Sequence, residues 1–336
     1  MKLDIIAGAR PNFMKIAPII AALEKVNDRI QYRLIHTGQH YDKKMSGSFF
    51  EQLGIPEPHV NLEVGSGTQA EQTARIMERY EALLLERHSD RSDSGVEESQ
   101  SGDAEDSSTA LGTTFNGMSD WVLVVGDVTS TMACSIAAKK LGVGVIHVEG
   151  GIRSNDITMP EEINRMVTDS ITDIFYTTSE VANENLRTLG HAESKIRYVG
   201  NTMIDTLLKN MSRFQKPKAW DAYNLKDKGY FVMTLHRPAN VDEEAQLKAL
   251  IDEIVKGATG MPIIFPVHPR TAKMLKGIGI EADNLHMIEP LGYLEFNYLV
   301  KHSFAMITDS SSPVLIILCV VQMGISTNDG FSPFSS

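Results

Sequence analysis

The sequence predicts an α/β protein of two parallel-sheet domains that face each other across a cleft. Three observations predict it. Apolar runs such as Trp121 to Val125 and Val143 to Val148 are continuous rather than alternating, as in strands buried on both faces. Segments of helical period separate these runs, which makes successive strands parallel. The alternation then begins again after a polar stretch, Lys209 to Lys228, that carries Pro217. A chain of 336 residues has length for roughly two domains. The boundary falls within 200–225 and is placed at 205/206.

The elements follow in order. Leu3 to Ala7 reads as a buried strand, Gly8 to Asn12 as a turn, and Phe13 to Val26 as a helix. Tyr32 to His36 is the second strand, followed by helices around Lys44 to Leu53 and Thr68 to Arg87. The strand at Trp121 ends in Gly126-Asp127 and leads to a helix from Ser130 to Leu141. The strand at Val143 ends in Glu149-Gly150-Gly151, and a helix with Pro160 in its first turn runs to Ser170. Ile174 to Thr177 and Ile196 to Val199 complete the first domain's strands. In the second, Tyr230 to Leu235, Pro262 to Val267, Leu285 to Ile288 and Phe304 to Ile307 read as strands, and Glu243 to Gly257 as a helix.

The net charge of −11 argues against a general nucleic-acid binder, which needs a basic face. The charge is unevenly spread. Residues 89–108 hold seven acids against one base, Arg91, leaving −5 for the rest of the chain. With seven serines and only Val96 as a large apolar residue, this segment cannot offset its ordering entropy and is expected to be disordered over 89–118. Cys134 and Cys319 have neither metal nor disulfide-framework spacing. The N-terminal apolar run is too short for a signal peptide, and Val314 to Val321 is too short to cross a bilayer. No membrane contact and a cytoplasmic location are the default expectation.

Polar residues gather where strands end, the edge at which open parallel sheets bind ligands. Arg10 and Lys15 flank the first strand-to-helix turn, where a helix N-terminus already favours an anion. Asp127 and Glu149 end neighbouring strands, and Glu161 opens the next helix. Convergent carboxylates suit general acid–base work. The structural alternative makes Asp127 and Glu161 helix caps and pairs Glu149 with Arg153. His236 and His268 each end a strand beside a cation, and His36, His40 and His147 also lie near strand ends. No HxH or HExxH spacing supports a metal, and no GxGxxG or Walker motif supports a dinucleotide or P-loop site.

The segments GARPNFMKIAP, HTGQHYD, GDVTST, HVEGGIRSNDITMPEEINR, TLHRPANVD, PVHPRT, EPLGYLEF and ITDS together resemble the non-hydrolysing UDP-N-acetylglucosamine 2-epimerases, over about residues 1–88 and 119–310. The resemblance implies two Rossmann-like domains of the glycosyltransferase-B type, a UDP-sugar in the cleft, a homodimer, a place in polysaccharide biosynthesis, and no metal or NAD cofactor. It implies interconversion of UDP-N-acetylglucosamine and UDP-N-acetylmannosamine through a glycal-like intermediate. Carried over by motif, Asp127, Glu149 and Glu161 are acid–base candidates and His236 stabilises the leaving diphosphate. Arg10 and Lys15 hold phosphate and sugar, and Gln39 and His40 match a motif near a second, regulatory UDP-sugar site in some members. Arg237, His268, Phe296 and Ser310 match second-domain positions near the nucleotide.

Two departures stand out. The acidic insert has no counterpart in the family. After Ser310 the family continues with two glycines and a pair of glutamates, whereas this chain reads Ser311-Ser312-Pro313-Val314-Leu315. The reading therefore expects a truncated second domain and an impaired nucleotide site. Its alternatives are an epimerase of a UDP-diacetamido-uronic acid, a hydrolysing relative, and an inactive remnant or binding module.

Overall fold

The first sheet is laid out around β1 (Lys2–Ala7), an apolar strand with Ile5 and Ala7 fully buried. The computed structural model describes residues 1–38, 50–89, 118–235, 244–267, 269–277, 279–280 and 282–308. The chain divides into two units, residues 1–206 and 207–336. The predicted helix at 44–53 falls partly outside the described residues, and its described part, 50–53, is helical.

In unit one, β2 (Gln31–His36), β3 (Val60–Asn61), β4 (Trp121–Val125), β5 (Gly144–Val148), β6 (Ile174–Thr177) and β7 (Ile196–Tyr198) join β1 in the order β3-β2-β1-β4-β5-β6-β7. Every pairing is parallel. The helices are α1 (Arg10–Leu23), α2 (Gln69–Ser89), α3 (Thr129–Lys140), α4 (Pro160–Ile171), α5 (Glu180–Thr188) and α6 (Thr202–Asn210), the last crossing into unit two. Ile6, Ile35, Val122, Val124 and Val145 pack against Ile76, Tyr80 and Leu84 of α2 and Ala133 and Ala137 of α3.

Local chemistry sets several of these elements. Thr68 and Glu71 form a reciprocal capping box before α2, with Glu71 N to Thr68 Oγ1 at 3.2 Å and Thr68 N to Glu71 Oε2 at 2.8 Å. Pro18 lies inside α1 and has no N–H to give the Met14 carbonyl. The Thr206 hydroxyl donates there instead, at 2.6 Å. In the core, Asp4 of β1 stands opposite Arg33 of β2 and accepts two guanidinium hydrogen bonds, at 2.9 and 2.8 Å. The Tyr80 hydroxyl donates to the same carboxylate at 3.0 Å.

Unit two carries β8 (Phe231–Thr234), β9 (Ile263–Pro266), β10 (Leu285–Ile288) and β11 (Ala305–Thr308) in the order β10-β9-β8-β11, all parallel. Its helices are α7 (Lys218–Ala222), α8 (Glu244–Gly257), α9 (Pro269–Gly277) and α10 (Tyr293–His302). One face packs Met233, Ile263 and Phe265 on Leu247, Ile251 and Leu275. The other packs Val232 and Ile264 on Leu299, Val300 and Leu207. The order β10-β9-β8-β11 repeats β3-β2-β1-β4 of unit one, so the predicted restart of the pattern is a repeated topology. Helices α5, α6, α7, α9 and α10 and the two-residue β3 lie beyond what the periodicity predicted. α5 reads EVANENLRT, where only Ala182 and Leu186 make an apolar face, Leu186 packing on Phe175 and Ile196, and it starts at the Ser179 cap, whose hydroxyl accepts from Ala182 N at 3.2 Å.

Candidate active site

The strand order of unit one reverses between β1 and β4, so their connections leave on opposite faces and open a crevice at the carboxyl ends. Asn12 bridges this point. Its Oδ1 accepts from the backbone N–H of Gly8 and Ala9, each at 3.0 Å, and its Nδ2 donates to the Val125 carbonyl at 3.1 Å. The first turn of α1 is thereby tied to the end of β4.

One helical turn further on, Lys15 Nζ lies 2.5 Å from Glu149 Oε2. Their side chains are only 11% and 10% exposed, so this is not a surface ion pair of negligible worth. Lys15 reaches Glu149 by passing over Gly126, where an added Cβ would stand 2.8 Å from Nζ. Gly126 has φ +68°, which an L side chain rarely adopts. Glu149 has φ 68° as well, without being glycine. A left-handed residue of this kind costs about 1–2 kcal/mol, and such outliers cluster at functional sites.

Asp127 follows Gly126, and its carboxylate pairs with Arg165 of α4. Arg165 forks: its other nitrogen donates to Glu162 Oε2 at 2.9 Å. Burial alone would weaken the guanidinium's charge, but Asp127 and Glu162 raise its pKa above the ordinary value. Asn164 Nδ2 holds the Asp127 carbonyl at 2.8 Å. Glu162, 1% exposed, also accepts from the Ser154 amide and hydroxyl, both at 3.0 Å. Burial pushes its carboxyl up, yet these hydrogen bonds and Arg165 hold it below the usual range.

Of the residues singled out from sequence, the structure brings together Lys15, Glu149 and Asp127 at the ends of β4 and β5. Glu161 sits in the first turn of α4, is exposed, and has no hydrogen-bond or ion-pair partner among the described residues. Neither Asp127 nor Glu161 is an N-cap: those positions belong to Val128 and Met159. Arg153 pairs with Asp169 at 2.7 Å rather than with Glu149. The Arg10 backbone opens α1, and its side chain is outside the described atoms. Phe296 on α10 is half-buried and packs against the core of unit two. Gln39, His40, His236, Arg237, His268, Ser310 and the insert over 90–117 lie outside the described residues.

Sequence reasoning passed over Asn12, Glu162, Arg165 and Asn164. The last three were visible as EEINR, where Glu162 and Arg165 are three apart on one helical face. Nothing in that spacing showed that the same arginine also reaches the end of β4.

Among the described residues, no group of three or more His, Cys, Asp or Glu could hold a metal ion. Among them also, no helix is long and apolar enough to cross a membrane.

Comparison with known proteins gives a consistent result. A sequence model of the UDP-N-acetylglucosamine 2-epimerase family matches residues 21–91 and 113–318. A UDP-N-acetylglucosamine 2-epimerase of Methanocaldococcus jannaschii is 39% identical over 321 residues, covering 92% of this chain and 79% of the relative. A crystal structure of the M. jannaschii enzyme in complex with UDP-GlcNAc and UDP is similar with a TM-score of 0.76 at 37% identity, covering 96% of this chain and 82% of that one. A UDP-2,3-diacetamido-2,3-dideoxy-D-glucuronate 2-epimerase of Pseudomonas aeruginosa is 33% identical over 313 residues, covering 92% of this chain and 78% of the relative.

Proposed function

The chain belongs to the UDP-N-acetylglucosamine 2-epimerase family, and we propose that it inverts C2 of UDP-N-acetylglucosamine to give UDP-N-acetylmannosamine. A base takes the C2 proton, the C–H electron pair forms the C1–C2 double bond, and the C1–O bond breaks with its pair leaving on UDP. A proton then returns to C2 from the opposite face, and UDP adds back to C1.

Two faces need two proton-handling groups. The observation that carries the reading is the placement of Asp127 and Glu149 on adjacent strand ends, each already joined to a cation, Arg165 and Lys15. Such pairing holds each carboxylate in place at the sheet edge. Glu161, exposed and unpartnered among the described residues, is the third acid–base candidate. Arg10, at the first position of α1, is assigned to the diphosphate, where the helix N-terminus adds favourable potential. Lys15 is assigned first to orienting Glu149. His236, Arg237, His268, Phe296 and Ser310 are assigned to the nucleotide, and Gln39 and His40 to a regulatory UDP-sugar. In this scheme residues 1–205 supply the acid–base groups and 206–336 the nucleotide site. A homodimer working in the cytoplasm on precursors of polysaccharide completes the proposal.

Incubation with UDP-N-acetylglucosamine in deuterated water, followed by proton NMR, tests it. Expected are inversion at C2 and deuterium in place of the C2 proton. Free N-acetylmannosamine with UDP would instead mark a hydrolase. Turnover of only the diacetamido-uronic acid substrate would move the chain to the second sugar. No turnover and no UDP binding by calorimetry would leave the fold without the activity.

A further inference from the structure

Behind the two carboxylates lies a buried ionic group that the proposed proton transfers do not use. His147 of β5 is fully buried, and Asp169 of α4 is 1% exposed. His147 Nδ1 lies 2.7 Å from Asp169 Oδ1, and Nε2 lies 2.8 Å from the Gly126 carbonyl oxygen. Asp169 Oδ2 accepts from Arg153 at 2.7 Å and from the Gly151 amide at 3.0 Å. A carbonyl oxygen only accepts, so Nε2 carries a proton. Burial pushes the Asp169 carboxyl up, but His147 and Arg153 outweigh this and hold it below the usual range. The ring is a strut held at both nitrogens.

Both ends of the strut touch the chain beside a proposed acid–base residue. The Gly126 carbonyl belongs to the peptide whose nitrogen is that of Asp127. Gly151, held by Asp169, stands two residues beyond Glu149. Between them, a Cβ on Gly150 would come within 3.3 Å of both His147 Nδ1 and Asp169 Oδ1, so this loop lies directly on the pair.

We propose that His147 is a positioning residue, setting the spacing of Asp127 and Glu149 by anchoring the peptide before one and, through Asp169, the loop after the other. This rests on the acid–base reading given above. A misplacement of about 1 Å at a reacting group can cost roughly 100-fold in rate.

Two substitutions separate the ends of the strut. In His147→Gln the amide nitrogen reaches toward the place of Nε2 and keeps the donor to Gly126. In His147→Asn it stands near the place of Nδ1 and keeps only the Asp169 contact. His147→Gln gives up the Asp169 end and His147→Asn the Gly126 end, so each should lose roughly 100-fold in kcat, with KM for UDP-N-acetylglucosamine and affinity for UDP unchanged. Wild-type kcat in either folded variant would overturn the proposal. Should either variant fail to fold, imidazole 15N–1H correlation on the wild-type protein decides. A slowly exchanging Nε2–H is expected, and an Nε2 without a proton overturns the strut. That measurement needs no substrate. A wild-type protein that inverts no UDP-N-acetylglucosamine overturns the functional reading alone.

Discussion

Lys15 in α1 and Glu149 at the end of β5 form an ion pair of 2.5 Å, with both side chains about nine-tenths buried. The pair crosses the switch point of the sheet and joins residues 134 positions apart. Removing one partner strands the other's charge away from water. Lys15→Gln is expected to cost about 3 kcal/mol, toward the lower end for a broken buried pair, read as a lower urea midpoint. Turnover should fall with it, and Lys15→Arg should restore stability better than activity.

Gly126 is required by conformation and by space. Gly126→Ala must hold φ near +68° and place a methyl group 2.8 Å from Lys15 Nζ. The backbone term alone costs about 1–3 kcal/mol. Expected are a lower melting temperature and a loss of kcat comparable to Lys15→Gln. Wild-type activity would show that Lys15 does not need its place over the turn.

Arg165 serves Asp127 and Glu162 at once. A lysine has one charged nitrogen where the guanidinium has a planar fork. Arg165→Lys is therefore expected to fold, with Asp127 less well oriented and kcat down roughly 10–100-fold. Steady-state kinetics beside a circular dichroism melt will separate the two effects.

Acid should destabilise unit one before the carboxylates titrate. Burial depresses the pKa of His36 from its usual 6.5, against a smaller opposing hydrogen bond with Asn61. Burial, with Arg33, depresses His59 likewise. Below pH 6.5 the unfolded chain takes up protons at these rings that the folded chain refuses, so stability falls as pH drops toward the folded values. Each unit of displacement is worth about 1.4 kcal/mol, which is about 3–6 °C in Tm for a domain of this size. Scanning fluorimetry should give a level Tm above about pH 7 and a decline between about pH 6.5 and 5. His59→Gln should lessen the decline.

Much of the fold was legible because buried parallel strands leave unbroken apolar runs. Trp121–Val125 and Ile174–Thr177 have the bounds read from the sequence, and β5 differs from its reading by one residue. Short or polar elements were not legible. β3 has two residues, and α5 buries only two apolar side chains, Ala182 and Leu186, behind its serine cap. At the site, the residue types at strand ends pointed to acid–base chemistry, but their partners could not be read. Glu149 takes Lys15, not the nearby Arg153, because α1 starts at the same sheet edge at which β5 ends.

The sequence by itself determined the parallel α/β class, the repeat of that pattern, and the family, through many short motifs in one order. These follow from local periodicity and residue chemistry, which need no coordinates. Only the tertiary structure decided which charges meet. Strand order brings β1 beside β4 and β4 beside β5. That adjacency places Lys15 on Glu149, Arg165 on Asp127 and His147 beneath the Gly126 carbonyl. These contacts join residues 21 to 134 positions apart, a separation across which no sequence period carries information.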